Sequence, residues 1–240
     1  MVSAKDIIVK PISAKDARAI VKRLHYSGKV VANSQLHLGV FLGGRIEGAM
    51  QFGPSMRKDL VKKLVSKTTW NGFLELNRLA FSDKLPRNSE SRALSIAFRL
   101  IKNNYTHIEW VVSFADGTQC GDGTIYRASG FYLTGIKVNS ELRVNPDTQQ
   151  PMQSMAAYHI GKARDFKNWV KLPGFQLRYI YYINKAAKER LTVPILPFSK
   201  IQEMGAGMYK GEKTKRAKKQ DVEHHSTLEG AVPICALQKK

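Results

Sequence analysis

The segment Phe73-Leu74-Glu75-Leu76-Asn77-Arg78-Leu79-Ala80-Phe81 has the apolar content of a buried strand, yet a carboxylate, an amide and a guanidinium stand within four positions. Unpaired in an apolar interior, such groups are costly, so a folded chain keeps them only where partners or a ligand satisfy them. On a regular strand Glu75 and Asn77 share one face and Arg78 points to the other, unless a bulge redirects it. Downstream, the apolar run ending Ser113-Phe114-Ala115-Asp116 and the segment Ile125-Tyr126-Arg127-Ala128-Ser129-Gly130-Phe131 bring two more proton-bearing groups. Together they read as an active site at the strand ends of an α/β fold.

The surrounding pattern supplies the elements that must position them. A short strand at 6–10 closes at Pro11, and Ser13 with Asp16 opens a helix that runs to about Leu24. His25-Tyr26-Ser27-Gly28 follows at its exit. Strands 36–42 and 45–52 flank Gly43-Gly44, a two-residue hairpin signal. Residues 55–69 read as a Lys-rich helix with Leu60, Val61, Leu64 and Val65 as its apolar stripe. Its Lys58, Lys62, Lys63 and Lys67 are either phosphate contacts or an ordinary solvated face.

After the strand at 73–81, Pro86-Arg87-Asn88-Ser89 leads into a helix whose Ala93, Ile96, Ala97, Leu100 and Ile101 repeat at helical spacing, with Asn88 or Ser89 as cap. A central strand at 108–114, a short helix at 122–129 ending at Gly130, and strands from 131 and 175 complete the order. The segment 138–173 is long and polar and carries no clear period. The expected architecture is a single α/β (α+β) domain over 1–198, with a central mixed, mostly antiparallel sheet flanked by helices. A basic, disordered tail is expected over 199–240.

Thirty-nine Lys and Arg against nineteen Asp and Glu give a net charge of +20. Residues 184–240 hold twelve basic and six acidic side chains (+6), so the remaining 27 against 13 leave +14 on the body. A body that basic points to nucleic acid, because neutralised phosphates release counterions. The two cysteines, Cys120 and Cys235, form neither a disulfide framework nor a zinc pattern. No apolar run is long enough for a membrane span, and no secretory signal opens the chain. A reducing cytoplasm and no membrane partner are therefore expected.

The order of elements from 73 to 131 resembles an acyl-coenzyme-A-dependent N-acetyltransferase (GNAT) core. In that fold the cofactor pyrophosphate rests on N–H groups at the start of the helix after the fourth strand. Here that place is Arg87-Asn88-Ser89-Glu90-Ser91, without the glycines usual in the family's loop. In GNAT enzymes the tyrosine matching Tyr126 can protonate a leaving thiolate. A tighter resemblance rests on His25-Tyr26-Ser27, Gly53-Pro54, Glu75-Leu76-Asn77-Arg78-Leu79, Pro86-Arg87-Asn88-Ser89-Glu90-Ser91, Val112-Ser113-Phe114-Ala115-Asp116 and Gly123-Thr124-Ile125-Tyr126. In this order and spacing they closely resemble the Mom-like DNA-modification proteins of phages and prophages.

That resemblance implies conversion of adenine in double-stranded DNA to an N6-carbamoylmethyl derivative, in the cytoplasm of a bacterial host. A bulky N6 group projects into the major groove, where restriction nucleases read adenine, and so shields the DNA. The family's functional positions fall on His25, Tyr26, Arg78, Ser89 or Ser91, Asp116 and Tyr126. Arg78 would bind an anionic donor or an oxyanion. Asp116 would be general base or adenine-edge acceptor, or else a cap or turn carboxylate. Tyr126 would be general acid, or else a core tyrosine. His25 would be base, metal ligand or structural residue; Arg87, Asn88, Ser89 and Ser91 would hold the cofactor, or else Ser89 and Ser91 only cap their helix.

Acetyl-CoA or another small donor, and iron on His25, are the cofactors the resemblance allows; a homodimer is likewise left open. The target base must leave the stack, with Tyr26, Trp70 or Phe114 available to receive it. Thioester transfer would join N6 to a carbonyl carbon, whereas a carbamoylmethyl group is joined through its CH2. Activation of the methyl carbon and entry of a glycine-derived nitrogen at C6 are the two routes to that bond. A conventional acetyl-CoA-dependent N-acetyltransferase acting on a protein or small amine, and a non-catalytic DNA-binding protein, are the competing readings.

Overall fold

The computed structural model describes residues 2–117, 122–138, 142–149, 151–172, 174–206, 208–209 and 212–213. In chain order the elements are β1 (Ile8–Pro11), α1 (Ala14–Leu24), β2 (Leu36–Leu42), β3 (Arg45–Gly53), α2 (Lys58–Val61), β4 (Phe73–Phe81), α3 (Ser89–Asn104), β5 (Trp110–Asp116), α4 (Thr124–Ala128) and β6 (Tyr132–Val138). They continue with β7 (Leu142–Val144), β8 (Pro151–Gln153), α5 (Ser154–His159), β9 (Phe175–Tyr182), α6 (Ser199–Glu203), β10 (Met208–Tyr209) and β11 (Glu212–Lys213). A seven-stranded sheet runs β1-β2-β3-β4-β5-β9-β6. Its first four strands are mutually antiparallel, and β4 pairs parallel with β5. The expected mixed, mostly antiparallel sheet with flanking helices is what the chain forms.

The residues group into two compact units. The first spans residues through Phe114, Thr124–Gly135 and Arg178–Leu196. The second spans Ala115–Gly123, Ile136–Leu177 and the chain from Pro197 onward.

In the first unit, Ser13 caps α1, accepting from the Asp16 N–H at 3.1 Å, and Ala17, Ile20 and Val21 turn inward. That stripe packs α1 on β2, β3 and β4. Gly43 and Gly44 both have positive φ, 54° and 77°, as a tight turn with the twist of the flanking strands requires. α3 buries Ala93, Leu94, Ala97, Phe98 and Ile101. Below the sheet's β4–β5 step, Phe73 and Trp110 are register partners with rings stacked at 4.5 Å, and the Trp110 indole donates to Thr68 Oγ1 at 3.0 Å.

Two expectations change here. The helix expected over 55–69 is only α2 plus a 3-10 turn at Lys62–Leu64. Val65 bridges Leu191, the Ser66 N–H donates to the Arg190 carbonyl at 2.8 Å, and Lys67 has φ 58°. These distant partners pull the chain out of helical geometry, and Lys58, Lys62, Lys63 and Lys67 do not share a helix. Secondly, Asn88 occupies the N-cap place of α3 in a left-handed conformation (φ 70°), and its side chain makes no cap bond. Ser89 is not the cap either; it is the first helical residue.

In the second unit, described elements also follow residue 198. α6 starts at Ser199, Ile201 and Ala206 are buried, and β10 pairs with β11. Elsewhere in this unit β7 pairs with β8, and α5 leads to a cluster of Ala157, Phe166 and Trp169 with Met152 packed against it. The Gly117 N–H donates to the Phe175 carbonyl at 2.7 Å, and a Cβ on Gly117 would lie 2.7 Å from the Ala206 carbonyl. The basic run 214–220, His224-His225, Cys120 and Cys235 lie outside the described residues. Among the described residues no helix is long and apolar enough to cross a membrane.

Candidate active site

The polar groups of β4 are gathered by a single irregularity. Along β3, Gln51 pairs with Arg78 and Gly53 with Glu75, while Phe52 pairs with Leu76. Asn77 is the extra residue, a β-bulge. Because β3 runs regularly through this stretch, Gln51 and Gly53 point to one face, and their partners Arg78 and Glu75 must point there too. A regular strand would have put Arg78 on the opposite side. The bulge is the redirection that the sequence pattern required and could not place.

Asn77 joins the same cluster. Its Oδ1 accepts from Ser34 Oγ at 3.0 Å, and its side chain and the Ser55 hydroxyl both hydrogen-bond the Glu75 carboxylate. Ser34, Ser55 and Asn77 are all buried. Gly53 leaves the space for this amide, since a Cβ there would sit 2.8 Å from Asn77 Oδ1 and 2.8 Å from Ser34 Cα. Burial pushes the Glu75 carboxyl above the usual carboxylate range, against the pull of Ser55, Asn77 and the Arg78 charge. In the next cross-strand pair, Gln51 Nε2 and His37 Nδ1 lie 3.1 Å apart.

Arg78 is fixed by the backbone. Its Nε donates to the Lys29 carbonyl at 2.8 Å and its Nη1 to the Asn77 carbonyl at 2.6 Å. Burial lowers its pKa, and Tyr26 and Glu75 oppose that shift. Two carbonyls hold the fork in place and leave further N–H groups for an anion.

The exit of α1 brings His25 and Tyr26 to this guanidinium. Their ring centroids are 4.4 Å apart, and Tyr26 is 58 % exposed. The Ser27 N–H donates to His25 Nδ1 at 3.2 Å, and Ser27 Oγ lies 2.8 Å from the same nitrogen. Nδ1 is therefore an acceptor, and the neutral ring carries its proton on Nε2. Burial, with the Arg78 charge as second cause, lowers the His25 pKa to about 4. The ring is neutral at pH 7.

The parallel β4–β5 ladder has three pairs and ends at Glu75 and Val112, although both strands continue. Where they part, the fully buried Ser113 Oγ lies 3.5 Å from the Leu76 carbonyl and 3.0 Å from the Tyr126 hydroxyl. The Tyr126 ring stacks on Tyr179 at 4.6 Å and meets Phe131 edge-on at 5.2 Å. Gly130 has φ 79°, the left-handed turn that carries the chain from α4 into β6.

Of the residues expected to act, the structure thus gathers His25, Tyr26 and Arg78, and sets Tyr126 on Ser113 beside Leu76, the neighbour of Glu75 and Asn77. Asp116 is the last residue of β5, half-buried, and belongs to the second unit. At the start of α3, Ser89 Oγ is buried with no hydrogen-bond partner among the described residues, Ser91 Oγ donates to the Asn88 carbonyl at 3.1 Å, and Arg87 is exposed. Lys58 Nζ lies over the Trp70 ring at 4.9 Å and donates to Asn71 Oδ1, with Lys62 Nζ at 6.0 Å from the same ring. Phe114 packs against the core below β4 and β5. The sequence assigns no role to Glu75, Asn77, Ser34, Ser55 or Ser113. The carboxylate and amide inside an apolar strand were the available signal for the first two, whereas isolated serines carried none.

Among the described residues no group of three or more His, Cys, Asp and Glu side chains is arranged to hold a metal ion. With His25 Nδ1 engaged by Ser27, the residues present do not fit the iron site expected there, and no step is assigned to it.

The family model described as the Mom protein family matches residues 6–200. The chain belongs to the Mom protein family. It is 36 % identical over 198 residues to the protein named methylcarbamoylase Mom of Escherichia phage Mu, covering 80 % of this chain and 82 % of that one. Among solved structures, an IAA acetyltransferase from Bacillus cereus overlays with a TM-score of 0.44 at 11 % identity, covering 73 % of this chain and 99 % of that one. A GNAT family acetyltransferase from Elizabethkingia anophelis with acetyl-CoA bound gives 0.45 at 13 %, covering 74 % and 98 %. Membership of the Mom family rests on the first two comparisons, and the structural overlays add nothing to the chemistry.

Proposed function

We propose that this Mom family member attaches a carbamoylmethyl group to N6 of adenine in double-stranded DNA, and so protects phage or prophage DNA from restriction endonucleases. The observation that carries the reading is the 36 % identity, over four-fifths of the chain, to a methylcarbamoylase. The charged cluster on β4 supports it with groups suited to a transfer reaction, and the +20 charge supports a polyanionic substrate.

In this reading the donor is a carbamoylmethyl unit whose CH2 carbon carries a leaving group: adenine N6 bonds to that carbon and loses a proton, and the leaving group departs with its electron pair and takes up a proton. Adenine N6 is a weak nucleophile, so the proton must leave as the bond forms; Asp116 is the acceptor. Arg78, held by two carbonyls, neutralises negative charge on the donor or on an oxyanion in surroundings of low polarity. Tyr126, whose hydroxyl is oriented by Ser113, returns a proton to the leaving group. Glu75 balances and aims Arg78, and Tyr26, the exposed aromatic beside them, stacks on the extruded base.

A donor bearing an anionic group fits the start of α3. The start of this sixteen-residue helix adjoins Arg87 and carries the buried Ser89 hydroxyl, which has no hydrogen-bond partner among the described residues, while the Ser89 N–H donates to the Pro86 carbonyl. When bound, the donor would supply the carbamoylmethyl unit, and Arg87, Ser89 and the α3 N-terminus would hold its anionic group.

The test is expression of the chain in a restriction-proficient bacterium, followed by digestion of its DNA with several unrelated endonucleases. Resistance is expected with the wild type and is lost in Asp116→Ala, provided the variant still binds DNA. Full cleavage of DNA from wild-type cells refutes the reading.

A further inference from the structure

The segment 158–171 of the second unit has an unusual surface. Lys162, Arg164, Lys167 and Lys171 stand on it against the single acid Asp165, and all four are exposed. Between them Tyr158 (66 % exposed), Ile160 (53 %) and Val170 (71 %) also face solvent. Apolar side chains this open, interleaved with cations, cost a soluble protein something and gain nothing in its core.

The segment is nevertheless held firmly. Phe166 and Trp169 turn inward, with rings 5.5 Å apart, and pack against Ala157. The Arg143 guanidinium lies 5.3 Å from the centre of the Phe166 ring and donates through Nη1 to the Trp169 carbonyl at 3.0 Å. The Lys162 N–H donates to the Ala157 carbonyl at 2.8 Å, and the Phe166 N–H to the Lys162 carbonyl at 3.0 Å. At the far end, Val144 and Leu172 exchange backbone bonds with Val170 and Leu142 at 2.9 Å. The buried aromatics thus serve as anchors, and the cations and exposed apolar groups are what they display. A surface ordered in advance loses less conformational entropy on binding.

We propose that residues 158–171 form a DNA-docking surface, with Arg164, Lys167 and Lys171 on phosphates of the duplex and Tyr158 and Ile160 pressing on the sugars or base edges beside them. Lys162 contributes less, because its Nζ pairs with Asp147 at 3.7 Å. Among the described residues Arg164, Lys167 and Lys171 form no ion pair. A membrane surface is a poorer occupant. α5 has six residues and stops before the Gly161 turn (φ 73°), too short to lay a continuous apolar face into lipid. The choice of DNA as partner rests on the function proposed above; the shape and charge of the surface do not.

The test uses the full chain, duplex DNA and fluorescence anisotropy across a salt series. Arg164→Ser/Lys167→Ser/Lys171→Ser should weaken binding roughly 10- to 100-fold near physiological salt, and lower the slope of log K against log salt by about 2 to 3, from about 0.9 per phosphate contact. Tyr158→Ser/Ile160→Ser should weaken binding at unchanged slope, since apolar contacts release no counterions. Lys22→Ser/Lys84→Ser/Lys102→Ser, which removes as many exposed charges from the first unit, should have a markedly smaller effect. Unchanged affinity and slope in the first variant, or an equal loss in the third, overturns the proposal. Unchanged affinity in the second removes Tyr158 and Ile160 from the surface. The assay reads binding alone, so a chain that docks DNA here and alters no adenine would refute the modification and leave the surface standing.

Discussion

Ser113 Oγ stands 3.0 Å from the Tyr126 hydroxyl at the place where β4 and β5 cease to pair. Ser113 can also reach the Leu76 carbonyl, so that carbonyl and the Tyr126 hydroxyl share one serine. Tyr126→Phe keeps the stack on Tyr179 and removes only the oxygen. It should fold normally and modify DNA about 100-fold or more slowly, as expected when a general acid is lost. Ser113→Ala should shift the pH dependence of modification while leaving DNA affinity unchanged. Rate profiles and anisotropy check both.

Arg78→Lys preserves the charge and discards the fork. A lysine cannot donate to both the Lys29 and Asn77 carbonyls, so each loses its present partner. Modification should fall to near background, with a stability loss of roughly 1–3 kcal/mol by urea unfolding. Near-normal activity in this variant would show that charge alone suffices.

His25 and Glu75 should pull stability in opposite directions with pH. The folded-state pKa of His25 is depressed to about 4 from an unfolded 6.5. The unfolded chain therefore binds more protons in that window, and the contribution of His25, complete above pH 6.5, is lost as pH falls toward 4. His25→Gln should flatten that part of the acid unfolding curve.

For Glu75 the folded-state pKa is raised, so the folded chain keeps the proton longer and stability falls as pH rises above the unfolded value of 4.5. At pH 7, Glu75→Gln should raise Tm and lower modification together. A lower Tm would mean that the bonds from Ser55 and Asn77 outweigh the burial of charge.

Gly53→Ala tests the space that the bulge requires. The added methyl meets Asn77 Oδ1, Ser34 Cα and the Asn33 carbonyl, all within 3 Å. Breaking the Ser34–Asn77 bond and overpacking this corner should cost about 1–3 kcal/mol and impair modification more than DNA binding. Denaturant midpoints and nucleoside analysis check the two parts.

Local signals were legible in the sequence and remote ones were not. The Gly43-Gly44 turn, the Ser13 cap, the apolar spacing of α3 and the bounds of β4 each depend on neighbouring residues. The helix expected over 55–69 failed because Leu191 and Arg190, more than a hundred positions away, take Val65 and Ser66 into extended pairing. The bulge at Asn77 is legible only as a contradiction, since three polar groups within a buried strand need one common outlet. The 138–173 segment lacked a period because its elements are short, and Phe166 and Trp169 form a small core of their own. His25, Tyr26 and Arg78 could be named in advance, whereas their meeting at the bulge, and Ser113 behind Tyr126, could not.

The central claim is that this chain places a carbamoylmethyl group on adenine N6. Mass spectrometry of nucleosides from the DNA of cells expressing the wild type and Tyr126→Phe tests it most directly. A deoxyadenosine heavier by one carbamoylmethyl group in the wild type, and nearly absent from the variant, is the predicted result. Unaltered deoxyadenosine in wild-type DNA, with the protein present and folded, would contradict it.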